Sequence, residues 1–81
     1  MRGAYTAAAP AGEDVPSLLW SLAERDGFYV NRESFDSELR FRPWEDGSVR
    51  IEVYGELGEN LLVWAKRQGL LRVRRAEPDG L

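Results

Sequence analysis

The residues in this sequence that could do chemistry at a surface are its arginines, which make up ten of the eleven basic residues. Five of them occupy alternating positions in segments typical of β-strands: Arg40, Arg42, Arg50, Arg72 and Arg74. Because alternating positions of a strand lie on one face, we expect these arginines on one face of a sheet, with Trp44 and Tyr54 beside them. Arginine binds carboxylates and phosphates through paired hydrogen bonds, and aromatic rings stack on planar groups. The pattern predicts a partner-binding face, and the competing interpretation is a solvated face whose charges prevent aggregation.

A second candidate surface is apolar. Trp20 lies about 100° to 140° from the centre of the apolar stripe of its predicted helix. Leu62 and Val63 fall outside the stripe of a second predicted helix. Three large apolar side chains in such positions indicate a covered surface, either in a homodimer or under a partner protein. The alternative is that the N-terminal segment folds back over them.

The residue types argue against catalysis and metal binding. The sequence has no His and no Cys, which removes Ser–His–Asp and Cys–His catalysis and the usual ligands of structural zinc. Its carboxylates cluster in predicted turns and helix ends, where water is plentiful, and no cluster has the spacing of an EF-hand loop. We therefore predict a protein that is not an enzyme and that holds no metal or cofactor.

Length and charge indicate the class of partner. The chain has 81 residues, enough for one small domain. Its net charge of −3 argues against a general coat for nucleic acid. We expect a small acidic interaction protein, with an adaptor, chaperone-like or inhibitory role, that binds another protein. The alternative is a nucleic-acid-binding module that uses the arginine-rich face.

The sequence lacks the patterns of membrane and secreted proteins. Its longest apolar run, Leu61 to Ala65, is far shorter than the roughly 20 residues of a membrane span. The N-terminus has no apolar core of the kind found in secretory signals. We expect a cytoplasmic location and no membrane partner.

Two helices can be placed from apolar periodicity. The first is predicted from Val15 to Arg25, with Asp14 as its N-cap and Gly27 as its stop. The second is predicted to end at Gln68 and to begin at Glu56 or Glu59. Its buried face is predicted to consist of Leu57, Leu61, Trp64 and Ala65.

Four strands are predicted from alternation and turn residues. They are short segments at residues 28–30, 35–41, 49–53 and 71–75, with a polar turn at 31–34. In the second hairpin we expect Phe41 opposite Ile51, because this register leaves a three-residue loop ending in Gly47. It also sets Arg40 opposite Glu52 and avoids a second like-charge pair.

The predicted fold is α+β, a small antiparallel sheet with both helices on one face in the order α-β-β-β-α-β. The alternative is a β-α-β-β-α-β, ferredoxin-like order, in which residues 4–8 form an additional first strand and residues 28–30 merge with the next. We expect one domain over residues 15–75, a flexible lead-in at 1–14 and a flexible tail at 76–81.

Overall fold

The computed structural model describes residues 1–9 and 12–76 and has an α+β fold. Its elements are β1 Gly3–Ala8, α1 Val15–Arg25, α2 Arg32–Glu38, β2 Leu39–Pro43, β3 Val49–Val53, α3 Glu56–Arg67 and β4 Arg72–Arg75, with a 3₁₀ turn at Glu45–Gly47. The four strands form one antiparallel sheet in the order β2-β3-β1-β4. The predicted fold class is therefore confirmed.

The element order is β-α-α-β-β-α-β, which agrees with the ferredoxin-like alternative in having a first strand before α1 and differs from it by the additional helix α2. Residues 3–8, predicted as part of a lead-in, form the inner strand β1, which pairs with β3 on one side and β4 on the other. Tyr5 and Ala7 point into the core, as the alternation of a strand requires. Alanine has a low preference for strands, so pairing on both sides, rather than local preference, places this segment in the sheet.

Residues 28–38 do not form the two predicted strand segments. Instead, the Asn31 side chain accepts a hydrogen bond from the Ser34 amide at 2.8 Å and caps helix α2. An ion pair between Arg32 and Asp36, at 3.0 Å, supports this helix at i,i+4 spacing. Phe35 and Leu39 share a face in either a helix or a strand, because a spacing of four suits both periods. The apolar spacing alone could not distinguish the two elements, and in the structure the strand begins only at Leu39.

The predicted hairpin register is confirmed. Phe41 pairs with Ile51. The three-residue loop is closed by a hydrogen bond of 2.9 Å from the Trp44 amide to the Ser48 carbonyl. Gly47 has a positive φ of 75°, which is the left-handed conformation that the last residue of such a loop adopts.

The core lies between the inner face of the sheet and the helices. Its fully buried side chains include Leu19 from α1, Phe35 from α2, Ile51 and Val53 from β3, and Leu61 and Leu62 from α3. Two members of the predicted α3 face are placed differently. Leu57 is 47% exposed. Trp64 is half-buried and packs edge-to-face on Phe28 at 5.8 Å rather than lying fully in the core.

The predicted domain limits are only partly covered by the described residues. Within 15–75, α1, α3, β2, β3 and β4 belong to one sheet with its helices, and β1 at Gly3–Ala8 extends this unit into the predicted lead-in. Residues 10–11 of the predicted lead-in and residues 77–81 of the predicted tail lie outside the described part of the chain.

Candidate protein-binding face

The five predicted arginines lie on one face of the sheet, opposite the helices. We name this surface the arginine face; it consists of Arg40 and Arg42 on β2, Arg50 on β3, and Arg72 and Arg74 on β4. The register aligns Arg42 with Arg50, Arg50 with Thr6, and Thr6 with Arg74. Three guanidinium groups therefore belong to one row across the sheet, and only Thr6 separates the last two.

Glu52 is the carboxylate at the middle of the arginine face. It is 8% exposed. Its two oxygens lie 3.5 Å from Arg42 Nε and 3.8 Å from Arg50 Nε. The Tyr54 hydroxyl donates a hydrogen bond of 3.2 Å to Glu52 Oε1. One glutamate thus bridges two of the five arginines, and the face keeps an excess of positive charge.

The two predicted aromatic residues lie at opposite ends of the hairpin, each against an arginine. The Arg50 guanidinium lies 5.0 Å from the centre of the Trp44 ring, and the Arg40 guanidinium lies 5.5 Å from the centre of the Tyr54 ring. Such cation–π contacts hold long side chains in place. Trp44 and Tyr54 are each 43% exposed, so both rings remain available to a partner.

A groove of about 450 Å³ runs across the outer side of the sheet, and we name it the outer groove. Its floor is β1, where Thr6 and Ala8 are too small to fill the space between taller neighbours. The hairpin loop forms one wall, with Trp44, Glu45, Asp46 and Ser48, and the arginines of β4, Arg72 and Arg74, form the other. The sequence prediction missed this floor, because β1 was assigned to a lead-in.

A second depression lies on the other side of β4, against α3. This inner cleft has a volume of about 440 Å³. It is lined by Tyr5, Leu62, Val63, Lys66, Arg67 and Arg75. The lining combines apolar carbon with three cationic side chains, and the Arg75 guanidinium lies 5.7 Å from the centre of the Tyr5 ring.

The predicted apolar surface is not one surface. Leu62 is 0% exposed within the single chain, so its placement on a surface is wrong. Trp20 packs on Phe35 at 5.3 Å, and Phe35 in turn stacks with Phe41 of the edge strand β2. Val63 lines the inner cleft near β4, at the opposite edge of the sheet. The structure does not bring Trp20 and Val63 together.

The sequence did not predict that a buried tyrosine, Tyr29, lies beside the half-buried Glu38. The Tyr29 hydroxyl is buried, and its geometry falls short of a hydrogen bond. Burial raises the pKa of the Tyr29 phenol above its usual range, and the nearby Glu38 carboxylate raises it further. The Glu38 carboxylate itself accepts a hydrogen bond of 3.3 Å from the Gly58 amide in the first turn of α3.

Two other kinds of feature are absent from the described residues. Over 1–9 and 12–76, no group of three or more acidic side chains is placed to hold a metal ion. No helix in that part of the chain is long and apolar enough to cross a membrane.

Comparisons with known proteins add no assignment. No protein-family model matches the sequence. Neither the comparison with curated proteins nor the comparison with solved structures found a match.

Proposed function

We propose that this chain is a non-enzymatic binding module whose arginine face docks an acidic segment of another protein. The observation that carries the proposal is the concentration of five arginines on one sheet face, four of them exposed around the buried Arg50, in a chain whose net charge is −3. Arginine is suited to this role because its planar guanidinium group pairs with a carboxylate through two hydrogen bonds.

The small residues of β1 support docking of an extended partner. Thr6 and Ala8 leave the outer groove open between Trp44 and the β4 arginines. A peptide lying in this groove would contact Trp44 on one side and guanidinium groups on the other, with its carboxylates towards Arg72 and Arg74 and away from Glu45 and Asp46. Tryptophan and arginine are the residue types that most often dominate the energy of protein interfaces.

The alternative partner is a nucleic acid, and the row formed by Arg42, Arg50 and Arg74 favours it. One feature weighs against it. Four-stranded sheets that bind single-stranded RNA stack bases on aromatic side chains of the sheet, whereas the outward positions of β1 and β3 hold small or charged residues.

The test is a fluorescence anisotropy titration of the full chain with a labelled poly-glutamate peptide, at about 50 and about 200 mM salt. We expect binding that weakens with salt and that is lost in the triple variant Arg40→Ser/Arg42→Ser/Arg72→Ser. The matched control, Arg2→Ser/Arg25→Ser/Arg32→Ser, removes the same charge from outside the face and should retain most of the affinity. Equal losses in both variants would indicate net charge alone and would contradict the proposal.

Labelled single-stranded and duplex oligonucleotides form the second arm of the titration. The alternative would be established by tight binding that the triple variant of the face abolishes. The logarithm of the association constant should then fall with the logarithm of the salt concentration, with a slope near −0.7 per phosphate for single strands or −0.9 for duplex DNA. Sedimentation of the free protein shows whether it forms a homodimer. If a homodimer covered the arginine face, the apparent affinity for poly-glutamate would fall as the protein concentration rises.

A further inference from the structure

Strand β4 is an open edge of the sheet beside the arginine face. It pairs with β1, and within 1–9 and 12–76 no strand lies on its other side. The Ala76 amide donates to the Ala4 carbonyl at 2.8 Å, so the even-numbered residues here direct their backbone groups to β1. Because this direction alternates along an antiparallel strand, the N–H and C=O groups of Val73 and Arg75 face the open side. They are available to one more strand.

Cationic side chains flank this open edge on both faces of the sheet. On the outer face Arg72 and Arg74 form a wall of the outer groove. On the inner face Lys66, Arg67 and Arg75 surround the inner cleft. An extended segment beside β4 would therefore meet positive charge on whichever side its acidic side chains point.

Charge opposes pairing of β4 with the same strand of a second copy of this chain. Three of the four residues of β4 are arginines. Pairing β4 with the same strand of a second copy would bring arginines close to arginines, and like charges on neighbouring strands are destabilising. The edge is complementary to a strand that carries carboxylates.

The two depressions differ in a way that selects an alternating sequence. On the outer face, β4 presents the guanidinium groups of Arg72 and Arg74. The inner cleft adds the apolar side chains of Tyr5 and Val63. Since successive side chains of a strand point to opposite faces, acidic residues in every second position would reach Arg72 and Arg74, and apolar residues between them would reach the inner cleft.

This inference rests on the proposed function and specifies the binding mode of its partner. We propose that the acidic segment binds as a fifth strand along β4, with alternate carboxylates on Arg72 and Arg74 and alternate apolar side chains towards the inner cleft. Backbone hydrogen bonds to Val73 and Arg75 give affinity, and the side-chain alternation gives specificity.

The test uses a labelled peptide that alternates glutamate with valine, and the full-length chain. Two further peptides carry N-methyl groups on the odd-numbered or on the even-numbered residues, so that each loses one set of backbone donors. We expect one N-methylated peptide to bind at least about tenfold more weakly and the other to bind like its parent. A peptide of the same composition with glutamates and valines in separate blocks should also bind about tenfold more weakly.

Amide hydrogen exchange locates the peptide on the protein. Exchange at Val73 and Arg75 should slow on binding, while exchange at Arg72 and Arg74, which already face β1, should change little. Arg75→Pro, which removes one outward N–H at an edge where proline is tolerated, should weaken binding more than Arg75→Ala, which removes the same charge. The N-methylated peptides do not depend on whether Arg75→Pro folds.

The outcomes separate this inference from the proposed function. If both N-methylated peptides bind like the parent and exchange at Val73 and Arg75 is unchanged, the fifth strand is wrong. Loss of binding in Arg40→Ser/Arg42→Ser/Arg72→Ser would then still support docking on the arginine face. If none of the acidic peptides binds, both are wrong.

Discussion

The guanidinium group of Arg50 lies 5.0 Å from the centre of the Trp44 ring, and this contact joins the covered middle of the arginine face to its exposed end. Arg50 is only 5% exposed, although it points away from the core. The Trp44 ring and the Glu52 carboxylate together surround it. The arginine face is therefore an ordered surface at its centre, and a partner would meet side chains that are already held in place.

Replacement of Trp44 tests this order. Trp44→Ala removes the ring from a buried guanidinium group, and we expect it to lower the free energy of unfolding by about 1 kcal/mol. Trp44→Phe retains a weaker ring and should cost less. Urea denaturation measures both. Equal stability of Trp44→Ala and the wild type would show that the ring does not hold Arg50.

The register of the β2–β3 hairpin could be predicted from the sequence because two constraints agree there. The alternation of Phe41 and Ile51 requires a shared face, and Gly47 satisfies the loop that this register leaves. The arginine face follows directly from this register, since Arg40 and Arg42 are fixed once Phe41 is placed. Local pattern was sufficient where it coincided with turn chemistry.

Strand β1 was predicted only as the alternative and helix α2 was not predicted, for two different physical reasons. Residues 3–8 are rich in alanine and have little strand preference, so their place depends on pairing with β3 and β4, which are distant in sequence. In α2 the spacing between Phe35 and Leu39 suits a helix and a strand equally, and the Asn31 cap that decides between them also fits a polar turn. The outer groove was missed with β1, because β1 is its floor.

The rotation of α3 can be tested with two leucines. Leu62 is fully buried, whereas Leu57 is 47% exposed. Leu62→Ala should lower the free energy of unfolding by about 2–5 kcal/mol, because it removes core contacts and leaves a cavity. Leu57→Ala should cost less than about 1 kcal/mol. Thermal or urea unfolding of the two variants measures the difference, and the reverse ranking would place the predicted face of α3 in the core.

The N-terminus of α3 depends on a carboxylate from another helix. Gly55, the N-cap residue, offers no side-chain hydrogen bond, and the Glu38 carboxylate accepts from the Gly58 amide in its place. A methyl group on Gly55 would overlap the Glu38 side chain. Glu38→Ala and Gly55→Ala should each cost about 1 kcal/mol, because each removes the same cap.

A double-mutant cycle distinguishes a shared cap from two separate effects. If the two variants remove one interaction, the double variant should cost about as much as either single variant, which corresponds to a coupling of about 1 kcal/mol. Gly3→Ala is the control, because its methyl group would meet only ordinary contacts at 3.6 Å. Costs that add without coupling would show that Glu38 does not cap α3.

The Tyr29 phenol should make stability depend on alkaline pH. Burial, reinforced by the Glu38 carboxylate, raises the pKa of Tyr29 above its usual range, so the folded state keeps the proton that the unfolded state releases near pH 10. The unfolded state then binds fewer protons, and stability falls as pH rises above about 10. Tyr29→Phe removes this dependence. It also removes a buried hydroxyl without a hydrogen bond, so it should cost little at neutral pH or raise stability slightly.

Urea denaturation at about pH 8 and about pH 10.5 measures both effects. Tyr54→Phe, which changes a half-exposed ring, serves as the control and should leave the alkaline loss in place. An equal alkaline loss in Tyr29→Phe and the wild type would show that the Tyr29 hydroxyl ionises in the folded state as readily as in the unfolded one.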